Sequence, residues 1–197
     1  MANKDIWLDI DLDFFNPSKY PLEDFRELIC EHTLRNTHCV IVTERPAILG
    51  YVKSAVKKQI IAPKFQIIHI DEHHGMYGNP PQNISVENFA NCDNFMYYVD
   101  SGWIEEFIWI RNSCSNQYDW LDKAAPYLKD CGIEYCTGNN LWVVMPDEPE
   151  LIKLVTITVS PNFLAPHVLR NSTKFMDVAK SYYVQTETMG KNKGCEI

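Results

Sequence analysis

Six short runs rich in isoleucine, valine, leucine and aromatic residues constrain this chain more than any other feature. They are DIWLDID (5–11), HCVIVT (38–43), FQIIHI (65–70), EFIWI (106–110), NLWVVM (140–145) and LIKLVTITVS (151–160). Each has strand length, and most are apolar at successive rather than alternate positions, the pattern of strands covered on both faces. Between them lie segments with helical spacing. PLEDFRELICEHTLRN (21–36) sets Leu22, Phe25, Leu28 and Ile29 on one face and opens with a proline, which suits a first helical turn. Further helices are expected near 46–59, 84–100 and 117–130. Strands alternating with helices predict the α/β class, as a three-layer sandwich around a mostly parallel sheet. A length of 197 residues suits one domain. That domain is expected over 1–185, with the polar, glycine-containing TETMGKNKGCEI (186–197) as a flexible or weakly docked tail.

In open parallel sheets, binding sites gather beyond the carboxyl ends of the strands. The polar clusters of this chain fall there: Asp9, Asp11 and Asp13 after the first run, Thr43 and Glu44 after the second, and Asp71 to His74 after the third. WLDIDLDFF alternates apolar residues with three carboxylates, which project to one side of an extended chain. Carboxylates about 7 Å apart repel and are costly to desolvate, so they require a counter-charge, which a divalent metal supplies best. The flanking Trp7, Leu8, Ile10, Leu12, Phe14 and Phe15 are too apolar for a solvated edge strand. In IHIDEHHGMYG, Asp71 and His73 stand two apart and share a pocket if the strand continues, while His74 points the other way. Carboxylate oxygens with one imidazole nitrogen suit Mn²⁺, Zn²⁺ or Fe²⁺ more than Ca²⁺.

Composition removes other classes. The formal charge is −8 and no block of Lys or Arg interrupts the acidic background, which argues against a nucleic-acid groove. No apolar run reaches the roughly 18 residues of a membrane span, and MANKDIW lacks the layout of a secretory signal, so a cytoplasmic location is expected, away from the membrane. Seven cysteines without a CxxC pair fit reduced thiols, and Cys39, inside an apolar run, reads as a small core residue. There is no glycine-rich phosphate loop and no nucleophile elbow, and Cys136 has no identifiable histidine partner for nucleophilic catalysis.

WLDIDLDFFN and IHIDEHH, together with NCDNFMYYVDSGWIEEFIWI (91–110) and TVSPNF (158–163), resemble the arginase-related family that includes the peptide arginases. The resemblance runs from about residue 5 to 165. It implies an arginase/deacetylase-like fold and hydrolysis of arginine residues in a ribosomally made precursor peptide to ornithine and urea, with Mn²⁺, one or two per chain. By position, Asp9 resembles a carboxylate bridging two metals, Asp11 a ligand of one, Asp71 the second bridging carboxylate, and His73 a ligand on the metal of Asp11. In that reaction His74 and Glu72 are candidates for the acid that protonates the leaving nitrogen. Asp13, Glu44 and Asn94 are candidates for orienting the cationic substrate.

Two positions depart from the family pattern. The usual Asp-x-His-x-Asp ends here at Gly75, and neither Glu44 nor Arg45 is the histidine expected after the second strand. Both departures concern the same metal, and three arrangements follow. Glu44 or His74 replaces the missing ligands and two metals remain. Arg45 fills the vacant position and leaves a single-metal site of Asp11, Asp71 and His73, which suits an amidase or deacetylase. Or the chain is a catalytically degenerate homologue that binds basic peptides.

Overall fold

The computed structural model describes residues 4–43, 45–73, 75, 95, 98, 102–112, 132–137 and 145–189. Seven strands form one sheet: β1 (Ile6–Asp11), β2 (His38–Val42), β3 (Phe65–Ile70), β4 (Ile104–Arg111), β5 (Gly132–Thr137), β6 (Ile152–Thr158) and β7 (Thr186–Met189). Their order is β5-β4-β3-β1-β6-β2-β7, and every neighbouring pair is parallel. The expected α/β class with a parallel sheet is therefore what the chain adopts.

Parity within the central strands decides what lies on each face. Leu8 and Ile10 of β1 join Ile41, Ile68, Ile70, Ile108, Ile110, Val155 and Ile157 on one side. There they meet Phe25, Leu28 and Ile29 of α1 (Pro21–His32), with Phe175 and Ala179 from a later helix, Ser172–Tyr182. Trp7 has the opposite parity and joins Val40, Val42, Phe65, Ile67, Phe107, Trp109 and Leu154 beneath Ile48, Tyr51, Val52 and Ala55 of α2 (Pro46–Lys57), with Phe95 and Tyr98. Each aliphatic or aromatic side chain so buried contributes roughly 1.5–3 kcal/mol. A further described helix, α3 (Pro166–Leu169), is a single turn, and the Ser172–Tyr182 helix is α4. Proline opens α1, α2 and α3, and in α1 Glu23 and Asp24 occupy the first turn and His32 the last, in keeping with the helix dipole. No described helix is long and apolar enough to cross a membrane.

The chain steps from β1 to β2 two places away, leaving a slot that β6 later fills, and returns to β3 on the other side of β1. Successive strands thus depart from β1 in opposite directions, which opens a crevice at its carboxyl end.

Three differences from the sequence reading stand out. Thr186–Met189, expected within a flexible or weakly docked tail, forms edge strand β7 against Cys39–Val42. Ladder hydrogen bonds require no apolar side chains, and a polar edge strand guards against pairing with other chains. Strand β5 lies in a segment assigned no strand, and β4 begins at Ile104, two residues earlier than expected. The expected helix 117–130 lies outside the described residues, as does the expected strand 140–145 apart from Met145, which lies in a bend. Of the expected helix 84–100 only Phe95 and Tyr98 are described; both are helical and buried. Cys39 is a buried core residue, as read from the sequence.

Candidate metal centre

Asp9 and Asp11 have the parity of Trp7, so both face α2 from the end of β1. His69 has the parity of Ile67 on β3, and Thr156 that of Leu154 on β6. Register brings Asp9 opposite both His69 and Thr156. A fully buried row results. Trp7 Nε1 donates to Thr156 Oγ1 at 2.8 Å, and the Thr156 hydroxyl donates to Asp9 Oδ1. Asp9 Oδ2 accepts from His69 Nδ1 at 2.8 Å. The other ring nitrogen of His69 lies 2.9 Å from the His73 carbonyl oxygen and 3.2 Å from Asp71 Oδ2. Both ring nitrogens thus have a carboxylate or carbonyl oxygen within hydrogen-bond reach. Burial alone would lower the His69 pKa; the Asp71 charge and the hydrogen bonds to Asp71 and Asp9 outweigh it and raise it.

Arg45, the residue before α2, reaches over this row. Its Nη2 donates to Asp11 Oδ2 at 3.1 Å and to Asp71 Oδ2. Nη1 stands 3.3 Å from His69 Nε2, and both groups also reach Asp71 Oδ2. Asp11 Oδ2 also accepts from Ser160 Oγ at 2.7 Å, and Oδ1 from the Asp13 N–H at 3.3 Å. Ser160 has a φ of 44°, unusual for a side chain with a Cβ, and is fixed there by its N–H on the Thr43 carbonyl. Burial works against ionised Asp71, but Arg45 and His69 prevail and hold its carboxyl well below the usual range. Asp11 is pushed up to about 6 by burial and by Asp71, against the pull of Arg45 and Ser160.

Asp13 arrives differently from the extended projection expected of it. The strand ends at Asp11, and a 3-10 turn, Leu12–Phe15, capped by the Asp11 side chain, swings Asp13 over the crevice. Asp13 Oδ2 lies 3.0 Å from His73 Nδ1, which is 3.5 Å from Asp71 Oδ1. The Glu72 N–H donates to Asp13 Oδ1 at 3.3 Å and the His73 N–H to Asp71 Oδ1 at 2.7 Å, folding the loop after β3 back on itself. Asp13, Asp71 and His73 each offer one ligand atom within 4.8 Å of the others, an arrangement that could hold a metal ion. Two carboxylate oxygens and an imidazole nitrogen fit a divalent transition metal. Burial, reinforced by Asp71 and Asp11, pushes Asp13 up to about 8, while hydrogen bonds to Asp13 and Asp71 raise His73 to about 10.

Of the four residues expected to bind metal, Asp71 and His73 belong to this cluster. Asp9 and Asp11 lie beneath it with their oxygens engaged by Thr156, His69, Arg45, Ser160 and the Asp13 N–H. Asp13, expected to orient substrate, stands among the candidate ligands. Glu72 sits beside the cluster, its Oε2 accepting from Asn16 Nδ2 at 3.4 Å. His74, Glu44 and Asn94 lie outside the described residues.

The sequence reading passed over His69, Thr156 and Asn16. His69 had a signal, because it stands two residues before Asp71 and so shares its side of the chain. Asn16 had none. Its amide donates to the Phe163 carbonyl at 3.0 Å as well as to Glu72, and its oxygen accepts from the Ala165 N–H at 2.7 Å, tying the loop after β6 to the loop after β3. Phe163 is 62 % exposed, with its ring edge-on to that of His73 at 5.5 Å. No family model, no curated protein and no solved structure matches the chain.

The raised pKa values predict how metal and pH interact. With folded values of about 8 for Asp13 and about 10 for His73, against 3.8 and 6.5 for the free side chains, the metal-free folded chain binds more protons than the unfolded chain between pH 6.5 and 8. Its stability therefore falls as pH rises through that window. Binding a divalent ion displaces those protons, so the increase in melting temperature on adding Mn²⁺ is expected to be larger at pH 8 than at pH 6.5. Differential scanning fluorimetry at both pH values checks this, and an increase that shrinks toward pH 8 contradicts it.

Proposed function

We propose that the protein is a metal-dependent hydrolase of carbon–nitrogen bonds whose substrate is the arginine side chain of a cytoplasmic precursor peptide, cleaved to ornithine and urea. The observation that carries this reading is the Asp13, Asp71 and His73 cluster at the carboxyl ends of β1 and β3, the location of catalytic sites in parallel sheets. Manganese suits its mixed oxygen and nitrogen donors. A divalent ion bound there supplies positive charge that makes water acidic enough to act as a nucleophile near neutral pH.

The chain's own residues do the rest. Arg45 and His69 keep Asp71 ionised and fixed, while Asp11 holds the turn that carries Asp13. Addition of water to the guanidinium carbon and cleavage of its bond to the side-chain nitrogen release urea and an amine, once that nitrogen has taken a proton. Glu72, tied to Asn16 at the mouth, supplies negative charge toward an incoming guanidinium, and Phe163 an exposed ring face over which a cation packs. Phe163→Ala is expected to raise KM for an arginine peptide about fivefold with little change in kcat, since a cation over a ring contributes about 1 kcal/mol to substrate and transition state alike. Steady-state urea release checks it; an equal fall in kcat would mean that the ring acts in the chemical step.

A single-metal amidase or deacetylase is the second reading, favoured by Arg45 lying on Asp11 and Asp71. One metal suffices to polarise an amide carbonyl, whereas an already cationic guanidinium is a poorer electrophile. Mn²⁺-loaded protein assayed in parallel with arginine-containing and N-acetyl-lysine peptides separates the two. Urea with ornithine supports the first reading and acetate the second. A folded protein that releases neither, yet binds a basic peptide with an affinity that Asp71→Ala leaves intact, is a peptide-binding module.

A further inference from the structure

We infer that Arg45 is a built-in cation that takes the place of a second metal ion, so that the site accepts one divalent ion per chain, on Asp13, Asp71 and His73. The inference rests on the reading that this cluster holds a metal, and adds the stoichiometry and the residue that sets it. Four buried carboxylates, Asp9, Asp11, Asp13 and Asp71, converge at the ends of β1 and β3, more than one ion needs as ligands. The guanidinium is already on two of them: its Nη2 donates to Asp11 Oδ2 and Asp71 Oδ2, with the Arg45 side chain only 18 % exposed.

Phe95 and Gly75 pack beside Arg45. Its Cζ lies 5.7 Å from the Phe95 ring centroid. Gly75 packs against the same two groups: a Cβ there would stand 2.6 Å from Phe95 Cε2 and 2.8 Å from Arg45 Nη1, and the backbone has φ of +64°. Position 75 therefore cannot carry a carboxylate while Arg45 and Phe95 are in place. The two departures from the ligand pattern in the sequence are one arrangement: the arginine fills the space and the glycine makes room for it. The guanidinium occupies Asp11 Oδ2 beside the bond from Ser160 Oγ, and Asp71 Oδ2 as well, so it covers the oxygens of these two carboxylates that a second ion would share. A second divalent ion would have to expel a guanidinium from a largely enclosed carboxylate pair and then stand beside it, like charge against like.

The test is metal content per chain after Mn²⁺ loading and desalting, for the wild type and Arg45→Ala, with the Mn²⁺ electron paramagnetic resonance spectrum of each. The expected result is one manganese in the wild type with the spectrum of isolated ions, and two in Arg45→Ala with the signature of a coupled pair. Two in the wild type would overturn the inference and leave the metal reading intact. None would overturn the metal reading itself. A folded Arg45→Ala that still binds one would show that the arginine does not exclude the second ion. Should Arg45→Ala fail to fold, the wild-type spectrum in excess Mn²⁺ decides: isolated ions support the inference, and a coupled pair overturns it.

Discussion

Asp71→Asn is expected to abolish metal retention and to lower folding stability by about 3–5 kcal/mol, the cost of breaking a buried ion pair by removing one partner. Asp71 is 1 % exposed and has two duties that no other described residue combines. One oxygen holds Arg45 and His69, and the other faces His73 as part of the candidate metal cluster. Asparagine keeps the shape but brings a neutral amide against the Arg45 guanidinium and the His69 ring, and leaves Asp13 and His73 from the cluster. Metal analysis and urea melts measure both effects on one preparation. Asp9→Asn is the informative partner, because Asp9 resembles a bridging ligand in sequence yet is bound to His69 and Thr156. It is expected to keep metal affinity within about threefold, since long-range charge alone is lost. An Asp71→Asn protein that retains its metal, or an Asp9→Asn protein that loses it, would move the ligand set back to the one read from the sequence.

His69→Leu is expected to cost a similar amount, about 3–5 kcal/mol, because it strands Asp9 in a wholly buried position with only the Thr156 hydroxyl for support. The double variant Asp9→Leu, His69→Leu is expected to recover much of that loss. With both polar groups replaced by side chains that can pack beside Val40 and Ile67, no uncompensated charge is buried. Chemical denaturation of the two single variants and the double variant gives the coupling energy directly. Additive losses would mean that Asp9 and His69 do not act as a pair, and the row from Trp7 to Asp71 would then be a set of independent contacts.

What the sequence revealed and what it concealed have physical causes. Strands β1, β2, β3 and β6 were legible because they are covered on both faces, so burial is written into consecutive residues such as IWLDID and FQIIHI. Parity made Asp9 and Asp11 legible as one inward-facing pair. It failed at Asp13, because the chain leaves extended geometry one residue after Asp11 and a turn, rather than alternation, aims the third carboxylate. β7 was missed since its pairing uses backbone groups and leaves Glu187 exposed, which gives no apolar signal. The links through Asn16 to Phe163 and Ala165 join residues 147 and 149 positions apart, beyond any local pattern. Arg45 was visible as a departure from a ligand pattern, but its occupation of the carboxylate pair depends on Phe95 and Gly75 closing around it.

The slot between β1 and β2 has a consequence for the life of the chain on the ribosome. β6 fills it, and with it come Thr156, Ser160 and Phe163, all from the last quarter of the sequence. Until that stretch emerges, β1 and β2 have no shared neighbour, Asp9 lacks its hydroxyl donor and Asp11 lacks Ser160. A chain in which β1 has formed before β6 is made therefore has its acidic strand end without these two donors. Late closure around a centrally inserted parallel strand is slow by the standards of local folding. β6 thus completes the surroundings of Asp9 and Asp11 only after both strands that flank it have been made.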